Sequence, residues 1–564
     1  MSTNISKEKR EKLISKIKAI RDYIVAAPQD ENTGNLLTYL SEIEKDIKGK
    51  KYGLVFEEHR ESIDEILATH TPVLSEDTNL FIDNGGQMNF LIEGDNLASL
   101  QLLEKTHKGR IDLIYIDPPY NTGNKDFIYD DTFVDTNDTF RHSKWLSFMK
   151  KRLKLASSLL SKKGLLFISI DDNEYAQIKL LCDGIFGENC FVSTMPRRTI
   201  NSGKHDSIAI TSSHDYILVY SPLGKSIKLK QKNKSENEKK ALYSLSDEYL
   251  ATRGHYYITQ LNKNSIQYSD SLNYPILSPD GEEIWPGNGY QDKQWVWRWS
   301  KNKFQWGLDN GFIVFKKNMK TGKYKVYTKS YENVDKDGNL IQRTNPNTSL
   351  DFASNEYTNF NATPELERIM GAKKVFDYPK PLILIESLIS LIKEKGYTVL
   401  DFFAGSGTTG HAVMKLNAED GGNRKFILCT NNENNICRNV TYERIKRVIE
   451  KEGYNASLKY YKIDYVPISD KLYYEYADEL LKHIRELVEL ENGINFTGNA
   501  EIGIVLTEDE LANFIANGEA FGLCRKLYMG HDLLPNEEQD RILRTRGIEI
   551  SIIPDYYYRD LQES

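Results

Sequence analysis

The sequence predicts an α/β fold built on an open, mostly parallel sheet that a long insertion divides into two parts. Short apolar runs alternate with helical patterns between residues 88 and 220, and the alternation returns after residue 366. Because 564 residues exceed what one core can hold, we expect several domains. Their predicted boundaries are 1–75, 76–224, 225–365, 366–463 and 464–564.

Several of the apolar runs stop at carboxylates. NFLIEGD ends at Asp95, IDLIYID at Asp117, VLD at Asp401 and KFILCTNNE at Glu433. The carboxyl ends of parallel strands share one edge, and open α/β sheets bind ligands outside that edge. We therefore expect these four acids to converge at a ligand site. GLLFISIDD also ends in acids, which we interpret as structural.

The composition describes a soluble globular protein, with 40% apolar and 27% charged residues. No apolar run approaches the roughly 20 residues that a membrane helix needs. The N-terminal MSTNISKEKREKL has no apolar signal core, and the five cysteines include no C-x-x-C. We expect a cytoplasmic protein with no membrane contact, no disulfide framework and no metal site.

The net charge of −7 is unevenly distributed. Residues 465–564 carry 20 Asp and Glu against 9 Lys and Arg, a balance of −11, so the other 464 residues carry +4. A polyanion would be repelled by the acidic segment, which favours a protein interface there. The rest of the chain carries no such barrier to a polyanion.

Two helical patterns open the chain, at residues 6–25 and 35–49, each with one apolar face. They pack either on the body of the protein or on a second chain. Near the other end, DELLKHIRELVELENG predicts one amphipathic helix, and AEIGIVLT and GIEISIIP predict strands.

The segment D-P-P-Y (Asp117 to Tyr120) follows the second of the acid-terminated strands. Pro118 and Pro119 fix the backbone and remove two amide donors, leaving carbonyl oxygens that only accept hydrogen bonds. Asp117 is a further acceptor, and Tyr120 offers a flat face for stacking. The combination suits an amino group attached to a flat ring, as in a nucleobase.

The segment VLDFFAGSGTTGHAV places Gly405, Gly407 and Gly410 between a strand and a helix. Glycines there let the backbone turn sharply and let a ligand approach main-chain amides. The spacing also matches the dinucleotide pattern G-x-G-x-x-G, but that pattern is weak alone, and the acid at Glu433 stands 28 residues after Gly405 rather than about 20. No G-K-[ST] follows, which excludes a phosphate-binding P-loop at this place.

Together, D-P-P-Y and the Asp401-x-Phe403-x-Gly405-x-Gly407 loop resemble the motif pair of amino methyltransferases that act on DNA. Their order, with the insertion between them, resembles the beta class. DLIYIDPPYNTGNKDFIYDD, RHSKWLSFMKKRL and FISIDDNEYAQIKLLCDGIFGENCF are similar to modification (Mod) subunits of Type III restriction–modification systems, as are DYPKPLILIESLI and NLLTYLSEIEKDIKGKKYGLVFEEH. The resemblance covers residues 1–220 and 366–463. It implies a circularly permuted, Rossmann-like, S-adenosylmethionine-dependent methyltransferase sheet, with an inserted target-recognition domain and a C-terminal α/β module.

The resemblance also implies a reaction, the methylation of adenine N6 in double-stranded DNA by base flipping. Tyr120 would stack on the flipped adenine, and Asp117 and the carbonyl of Pro118 would accept hydrogen bonds from its amino group. The nitrogen would then attack the sulfonium methyl directly, so neither a metal nor a general-base histidine is required.

The cofactor S-adenosyl-L-methionine is implied at the glycine loop and at the neighbouring strand ends. Glu433 would take the ribose hydroxyls, Asp95 the adenine, and Lys380 with Pro381 would close the pocket beside the methionine moiety. The loop contacts are implied for Asp401, Phe403, Ala404, Gly405, Ser406, Gly407 and Thr408.

The insertion at 225–365 is the predicted target-recognition domain. Five of the six tryptophans lie between Trp285 and Trp306, and the stretches 225–240 and 312–329 are rich in lysine. These residues suit phosphate and base contacts, but tryptophans such as those of WVWRW also suit the core of a small β-rich domain. A target-recognition domain also needs a core, so the two interpretations are compatible.

Alternative functions remain open on the sequence alone. They are a cytosine-N4 methyltransferase, a solitary methyltransferase without a nuclease partner, a DNA-recognition subunit without catalysis, and a nicotinamide dehydrogenase. The last leaves D-P-P-Y unexplained. For the leading interpretation we expect a homodimer and a restriction (Res) subunit as partners, with the acidic C-terminus as the interaction domain.

Overall fold

The protein is described by a computed structural model that covers residues 5–26, 33–48, 54, 56–123, 127–129, 132–135, 137–201, 210–468, 473–496, 499–517 and 522–558. The chain divides into two compact units. The first unit comprises residues 1–227, 349–390 and 394–564, and the second comprises residues 228–348 and 391–393.

Both units contain β-strands. The strands are β1 His70–Glu76, β2 Gln87–Glu93, β3 Ile111–Ile116, β4 Ile128–Tyr129, β5 Thr132–Phe133, β6 Leu160–Ile170, β7 Phe191–Arg198, β8 His214–Tyr220, β9 Lys232–Asn233, β10 Tyr256–Gln260, β11 Asn262–Lys263, β12 Ile276–Leu277, β13 Glu283–Ile284, β14 Val296–Trp297, β15 Ile313–Lys317, β16 Tyr324–Tyr331, β17 Thr344–Asn345, β18 Thr398–Asp401, β19 Lys425–Thr430, β20 Ala456–Pro467, β21 Ile502–Val505, β22 Lys526–Gly530 and β23 Glu549–Ile553.

Helices cover the sheets and connect the strands. The α-helices are α1 Ile5–Ala26, α2 Thr33–Lys48, α3 Ser62–Thr69, α4 Asn96–His107, α5 Arg141–Leu159, α6 Tyr175–Phe186, α7 Glu236–Leu242, α8 Leu250–Arg253, α9 Lys301–Asp309, α10 Ala362–Met370, α11 Leu382–Ile389, α12 Thr408–Asp420, α13 Glu443–Glu452, α14 Tyr473–Leu481, α15 Ile484–Asn492, α16 Glu508–Ala516, α17 Glu537–Arg546 and α18 Asp555–Tyr558. Of the helices in the described part of the chain, none is long and apolar enough to cross a membrane.

A nine-stranded sheet forms the centre of the first unit, in the order β1–β20–β2–β19–β18–β3–β6–β8–β7. The run from β20 to β6 is parallel, and β1, β8 and β7 pair antiparallel at the two ends. The inner strands are buried on both faces, which accounts for their continuous apolar runs. The predicted α/β class is therefore confirmed, and so are the strands predicted before Asp95, Asp117, Asp401 and Glu433.

The two N-terminal helices agree with the predicted ranges. Arg21 of α1 pairs with Glu44 of α2 at 3.1 Å, so the two helices contact each other. Ile17 is buried, whereas Leu13, Ile20, Leu36 and Ile43 of the apolar faces are 47% to 50% exposed. Packing on a second chain remains a prediction.

The second unit has its own aromatic core around the antiparallel sheet β10–β16–β15. Trp297 and Trp299 are buried, and the indole of Trp297 donates to Tyr274 O at 2.7 Å. Arg298, between them, hydrogen bonds instead to the backbone of Gln260. Val296 is buried as well and Trp295 is only partly buried, so burial does not follow a strict alternation in WVWRW. Trp297 and Trp299 are nevertheless core residues, and β14 contains only two residues of the segment.

The acidic C-terminal segment shares the core of the first unit. Leu487, Val488, Tyr528 and Tyr557 pack in the same apolar cluster as the residues of β1, β2 and β3. The single helix predicted over DELLKHIRELVELENG is wrong, because α14 and α15 are separate. The break occurs at His483, which leaves helical backbone angles and contacts Leu74 O of β1 at 3.1 Å.

One buried carboxylate connects three parts of this segment, α15, β22 and α18, through hydrogen bonds. Glu491 of α15 accepts hydrogen bonds from the hydroxyls of Tyr528 at 2.9 Å, Tyr556 at 3.0 Å and Tyr557 at 2.5 Å. Burial opposes its charge, but the Tyr557 hydrogen bond and the nearby Lys526 outweigh burial and lower the pKa of Glu491. The carboxylate thus stays ionised although it is 3% exposed.

We predict that Glu491→Ala lowers the free energy of unfolding by about 3 kcal/mol, because the buried hydroxyls lose their charged acceptor. Denaturant unfolding followed by circular dichroism measures the loss. The control is Glu549→Ala on β23, whose side chain is 67% exposed and should contribute less than about 0.5 kcal/mol. Equal losses in the two variants would contradict the assigned role.

Candidate active site

The acid-terminated strands lie side by side in the sheet. The order β2, β19, β18, β3 is continuous and parallel, so the four carboxyl ends face one edge. Asp95, Asp117 and Asp401 stand at or within two residues of their strand ends, and Glu433 follows β19 by three. The predicted convergence of these acids at one edge agrees with this strand order.

Asp117 forms an ion pair with Lys380 at this edge. Lys380 Nζ donates to Asp117 Oδ1 at 2.6 Å and to Oδ2 at 2.7 Å. The same ammonium donates to Tyr120 Oη at 2.9 Å. The resemblance assigned Lys380 to the methionine end of the cofactor, so its contact with the D-P-P-Y turn is information that the sequence did not give.

The backbone of the turn is held by a tryptophan. Trp145 of α5 is fully buried, and its indole nitrogen donates to Pro119 O at 2.7 Å. Pro118 is also buried. One of the two proline carbonyls is therefore engaged by the protein, and the predicted role of the other, in Pro118, stays a prediction.

A buried ion pair, missed by sequence reasoning, supports Tyr120. The Tyr120 hydroxyl lies 3.4 Å from Asp215 Oδ2, and Asp215 pairs with Arg197 through Nε at 2.8 Å and through Nη2. Burial, together with the charges of Asp117 and Asp215, raises the pKa of Tyr120, which stays a neutral phenol. The only signal for the pair was an acid at the start of an apolar strand, because the register that pairs Arg197 with Asp215 cannot be read from the sequence.

The glycine loop needs two of its glycines for conformation and close approach. Gly405 and Gly407 have φ angles of +46° and +73°. A Cβ on Gly405 would lie 3.1 Å from Phe376 Cζ, and one on Gly407 would lie 3.2 Å from Thr441 Cγ2. Thr441 Oγ1 also donates to Gly405 O at 2.6 Å. The loop is therefore held between Phe376 and Thr441.

The third glycine has a packing role. A Cβ on Gly410, inside α12, would lie 2.7 Å from Ile445 Cδ1 of α13. The glycine lets the two helices approach closely.

The polar side chains of the loop are held from within the protein. Buried Arg444 donates to Thr408 Oγ1 at 2.7 Å and to Ser406 O at 3.3 Å, and the two hydroxyls of Ser406 and Thr408 lie 3.1 Å apart. Burial lowers the pKa of Arg444 to about 10. These hydroxyls fix the shape of the loop, so any ligand contact of theirs stays a prediction.

Asp401 also stabilises the glycine loop. It is 2% exposed and accepts hydrogen bonds from Thr409 Oγ1 at 2.5 Å and from the Phe403 amide at 3.0 Å. Burial raises the pKa of Asp401 to about 7. The Ala404 amide donates to Cys429 O at 3.2 Å, which joins the loop to β19. Among these residues, Phe403 keeps a partly exposed ring.

Asp95 and Glu433 stand on the same side of this loop in the strand order, after β2 and β19, and the D-P-P-Y turn after β3 stands on the other side. Asp95 caps α4 by accepting from the Leu97 amide at 2.7 Å, and Arg152 Nη2 lies 3.4 Å from its carboxylate. A third of the Asp95 side chain is still exposed, and Glu433 is exposed at the start of a one-turn helix. Both carboxylates can accept hydroxyl or amino hydrogen bonds from a ligand at the edge.

Gly407→Ala should cost about 3 kcal/mol of stability, from the left-handed backbone and from the contact with Thr441. Gly421→Ala is the matched control, because Gly421 has φ +66° and no atom within 4 Å of the added Cβ. It should lose about 1 kcal/mol, for the backbone alone. Thermal unfolding compares the two, and indistinguishable losses would show that the loop is not tightly held.

The sequence matches a protein-family model and several known proteins. Residues 111–443 match the family model described as DNA methylase. The chain is 34% identical to the Type III restriction-modification enzyme StyLTI Mod subunit of Salmonella typhimurium, over 66% of this chain and 59% of the relative. It is 32% identical to the EcoPI Mod subunit of Escherichia phage P1, over 62% and 58%. The chain thus spans less than two thirds of the length of these two Mod subunits.

A Type II relative and a solved structure complete the comparison. The Type II methyltransferase M.KpnI of Klebsiella pneumoniae is 36% identical, over 62% of this chain and 82% of the relative. The solved structure of the PvuII DNA methyltransferase (cytosine-N4-specific) aligns with a TM-score of 0.31 and 12% identity, over 73% of this chain and 98% of that one. Because the family match covers more than half of the sequence and includes both the D-P-P-Y turn and the glycine loop, the chain belongs to the DNA methylase family.

Proposed function

We propose that the protein transfers a methyl group from S-adenosyl-L-methionine to adenine N6 in double-stranded DNA. The observation that carries this proposal is the D-P-P-Y turn at the carboxyl edge, beside the glycine loop. It offers a carboxylate and an aromatic ring at one point, which fits an amino group on a flat base. Family membership supports the same chemistry.

The residues of the loop fit the cofactor. Two glycines at positive φ open α12, and partly exposed Phe403 offers a ring at the edge. Asp95 and Glu433 stand at the neighbouring strand ends, where they would accept hydrogen bonds from the amino group and the ribose hydroxyls. The bound cofactor would supply an electrophilic methyl group.

The target adenine would be flipped out of the duplex to reach the turn, because its amino group is otherwise paired within the stack. Asp117 and Pro118 O would each accept a hydrogen bond from the amino group and orient the nitrogen lone pair. Both oxygens of Asp117 already accept from Lys380, and each oxygen has a lone pair for a further hydrogen bond. The base would therefore either share the carboxylate with the lysine or displace it. The flexible stem of Lys380 allows such a displacement.

The amino group of cytosine could meet the same acceptors, so cytosine N4 is the second candidate. The aspartate at the head of D-P-P-Y favours adenine, because the resemblance links cytosine-N4 enzymes more often with serine there. Identification of the modified base distinguishes the two.

Residues 228–348 would read the DNA target. The hairpin β15–β16 exposes Lys316, Lys320, Lys323 and Lys325, a charge suited to phosphate contacts. The tryptophans buried in this unit would support the surface rather than contact bases.

The similarity to Mod subunits supports a role as the modification subunit of a Type III system. In that role the protein would form a homodimer, work with a restriction subunit and act on DNA in the cytoplasm. The apolar faces of α1 and α2 and the acidic segment 464–564 are the surfaces that we assign to such contacts.

Nucleoside analysis tests the proposed reaction. Purified protein is incubated with S-adenosyl-L-methionine and unmodified bacterial DNA, and the digested DNA is examined by mass spectrometry. N6-methyladenine is the expected product. N4-methylcytosine would transfer the proposal to cytosine, and the absence of any methylated base across several genomic DNAs would contradict it.

Asp117→Ala should lower the rate of methyl transfer by at least about 10²-fold, because the amino group loses its charged acceptor. Cofactor affinity, measured by calorimetry, should change less than threefold. The control is Asp172→Ala. Asp172 also follows a parallel strand, but its carboxylate accepts a hydrogen bond from the Tyr216 hydroxyl, so this variant should retain activity. Substantial turnover by Asp117→Ala would contradict the acceptor role.

The double variant Lys320→Ala/Lys323→Ala should weaken DNA binding and reduce the slope of log K against log salt by about 2. The control Lys162→Ala/Lys163→Ala removes two exposed lysines at the start of β6, at the opposite edge of the sheet. Fluorescence anisotropy at several salt concentrations compares the pairs. Equal slopes would exclude the hairpin as a DNA contact.

A further inference from the structure

A buried polar cluster adjoins the D-P-P-Y turn. Asn121, directly after Tyr120, has a φ of +56°, which costs a non-glycine residue about 1 kcal/mol. Its side chain donates to Glu174 Oε1 at 2.5 Å and to Arg141 O at 3.3 Å. Asn121 is 1% exposed and Glu174 is completely buried. These hydrogen bonds hold the turn in its strained conformation.

His142 completes the cluster, with Nδ1 at 2.6 Å from Glu174 Oε1. Arg141 Nε donates to His142 Nε2 at 3.2 Å, so Nε2 is the acceptor and Nδ1 carries the ring proton. Glu174 Oε1 therefore accepts two hydrogen bonds. Among the residues that the structure describes, none offers a hydrogen-bond partner to Glu174 Oε2.

This environment favours the neutral carboxyl. The charged or titratable groups that face Glu174 are Arg141 and His142 on α5 and Asp171 before α6. Burial raises the pKa of Glu174 to about 8, although the Asn121 hydrogen bond and Arg141 act against it, and burial lowers the pKa of His142. Both shifts favour a protonated carboxyl beside a neutral imidazole.

The stability that Glu174 contributes decreases as the pH rises. Because the pKa in the folded protein lies above the ordinary 4.5, the stabilisation from this group is complete at low pH and is lost as the pH rises through about 8. Ionisation would place part of the carboxylate charge on Oε2, which has no donor among the described residues, and this would draw in water and loosen the cluster.

We propose that Glu174 is a positioning residue for methyl transfer: through Asn121 it fixes the backbone that presents Asp117 and Tyr120, and it does so in its proton-bearing form. The inference deepens the proposed function and rests on it for the link to catalysis. The link to the conformation of the turn is independent of the reaction.

Trp145 provides a readout of the turn without any substrate. Its indole donates to Pro119 O, and the other five tryptophans lie between residues 285 and 306. In protein labelled with 5-fluorotryptophan, Trp145→Phe identifies its ¹⁹F resonance. The resonance should shift with a midpoint near pH 8 in the wild type and lose this transition in Glu174→Gln.

The matched control is Glu486→Gln on α15. Burial raises the pKa of Glu486 to about 7, so this variant removes another buried carboxyl with a raised pKa, outside the turn. It should keep the Trp145 transition. The same transition in Glu174→Gln, or its loss in Glu486→Gln, would overturn the inference.

Kinetics test the catalytic link. Glu174→Gln keeps an acceptor and a donor, so its single-turnover rate at pH 7 should stay within threefold of the wild type and should not fall near pH 8 as the wild-type rate does. Glu174→Ala should lose about 10²-fold, with the KM for cofactor unchanged. Equal losses in the two variants, or an unchanged alkaline fall in Glu174→Gln, would overturn the positioning role. If the wild type methylates no DNA, the proposed function fails, and the Trp145 resonance still decides whether Glu174 positions the turn.

Discussion

The parallel pairing of β3 with β18 is the interaction on which the rest of the site depends. Leu113 and Ile114 pair with Val399 and Leu400, all fully buried, although the two strands lie on opposite sides of the insertion in sequence. The D-P-P-Y turn and the glycine loop therefore leave the sheet next to each other. Any change that separates these strands would move the D-P-P-Y turn away from the glycine loop.

The carboxylates crowded at this edge are compensated in different ways. Asp401 is buried and hydrogen bonded inside the loop, and Asp215 is fixed by the rigid, two-point contact of Arg197. Asp117 is paired instead with a lysine, whose single ammonium also contacts Tyr120. A flexible partner is what an acceptor needs if it must exchange a protein donor for a substrate donor.

Much of the fold was predictable because local sequence patterns determine its strands and turns. Apolar runs that end in acids gave the parallel strands, and glycines at a strand end gave the loop before α12. The sequence could not give contacts that depend on register or on distant segments: Lys380 with Asp117, Arg197 with Asp215, and Glu174 with Asn121. The sequence also did not indicate the break at His483, because periodicity does not show that this histidine lies between two helices and contacts β1. Asp401 stands at the predicted ligand edge of the sheet, but its buried carboxylate accepts hydrogen bonds from Phe403 and Thr409.

The most direct test of this account is the structure of the protein bound to DNA containing its target and to a non-reactive cofactor analogue. We expect a flipped adenine with its amino nitrogen within about 3 Å of Asp117 and of Pro118 O. An adenine bound elsewhere, with the Lys380–Asp117 pair intact, would contradict the assignment of this turn as the site of methyl transfer.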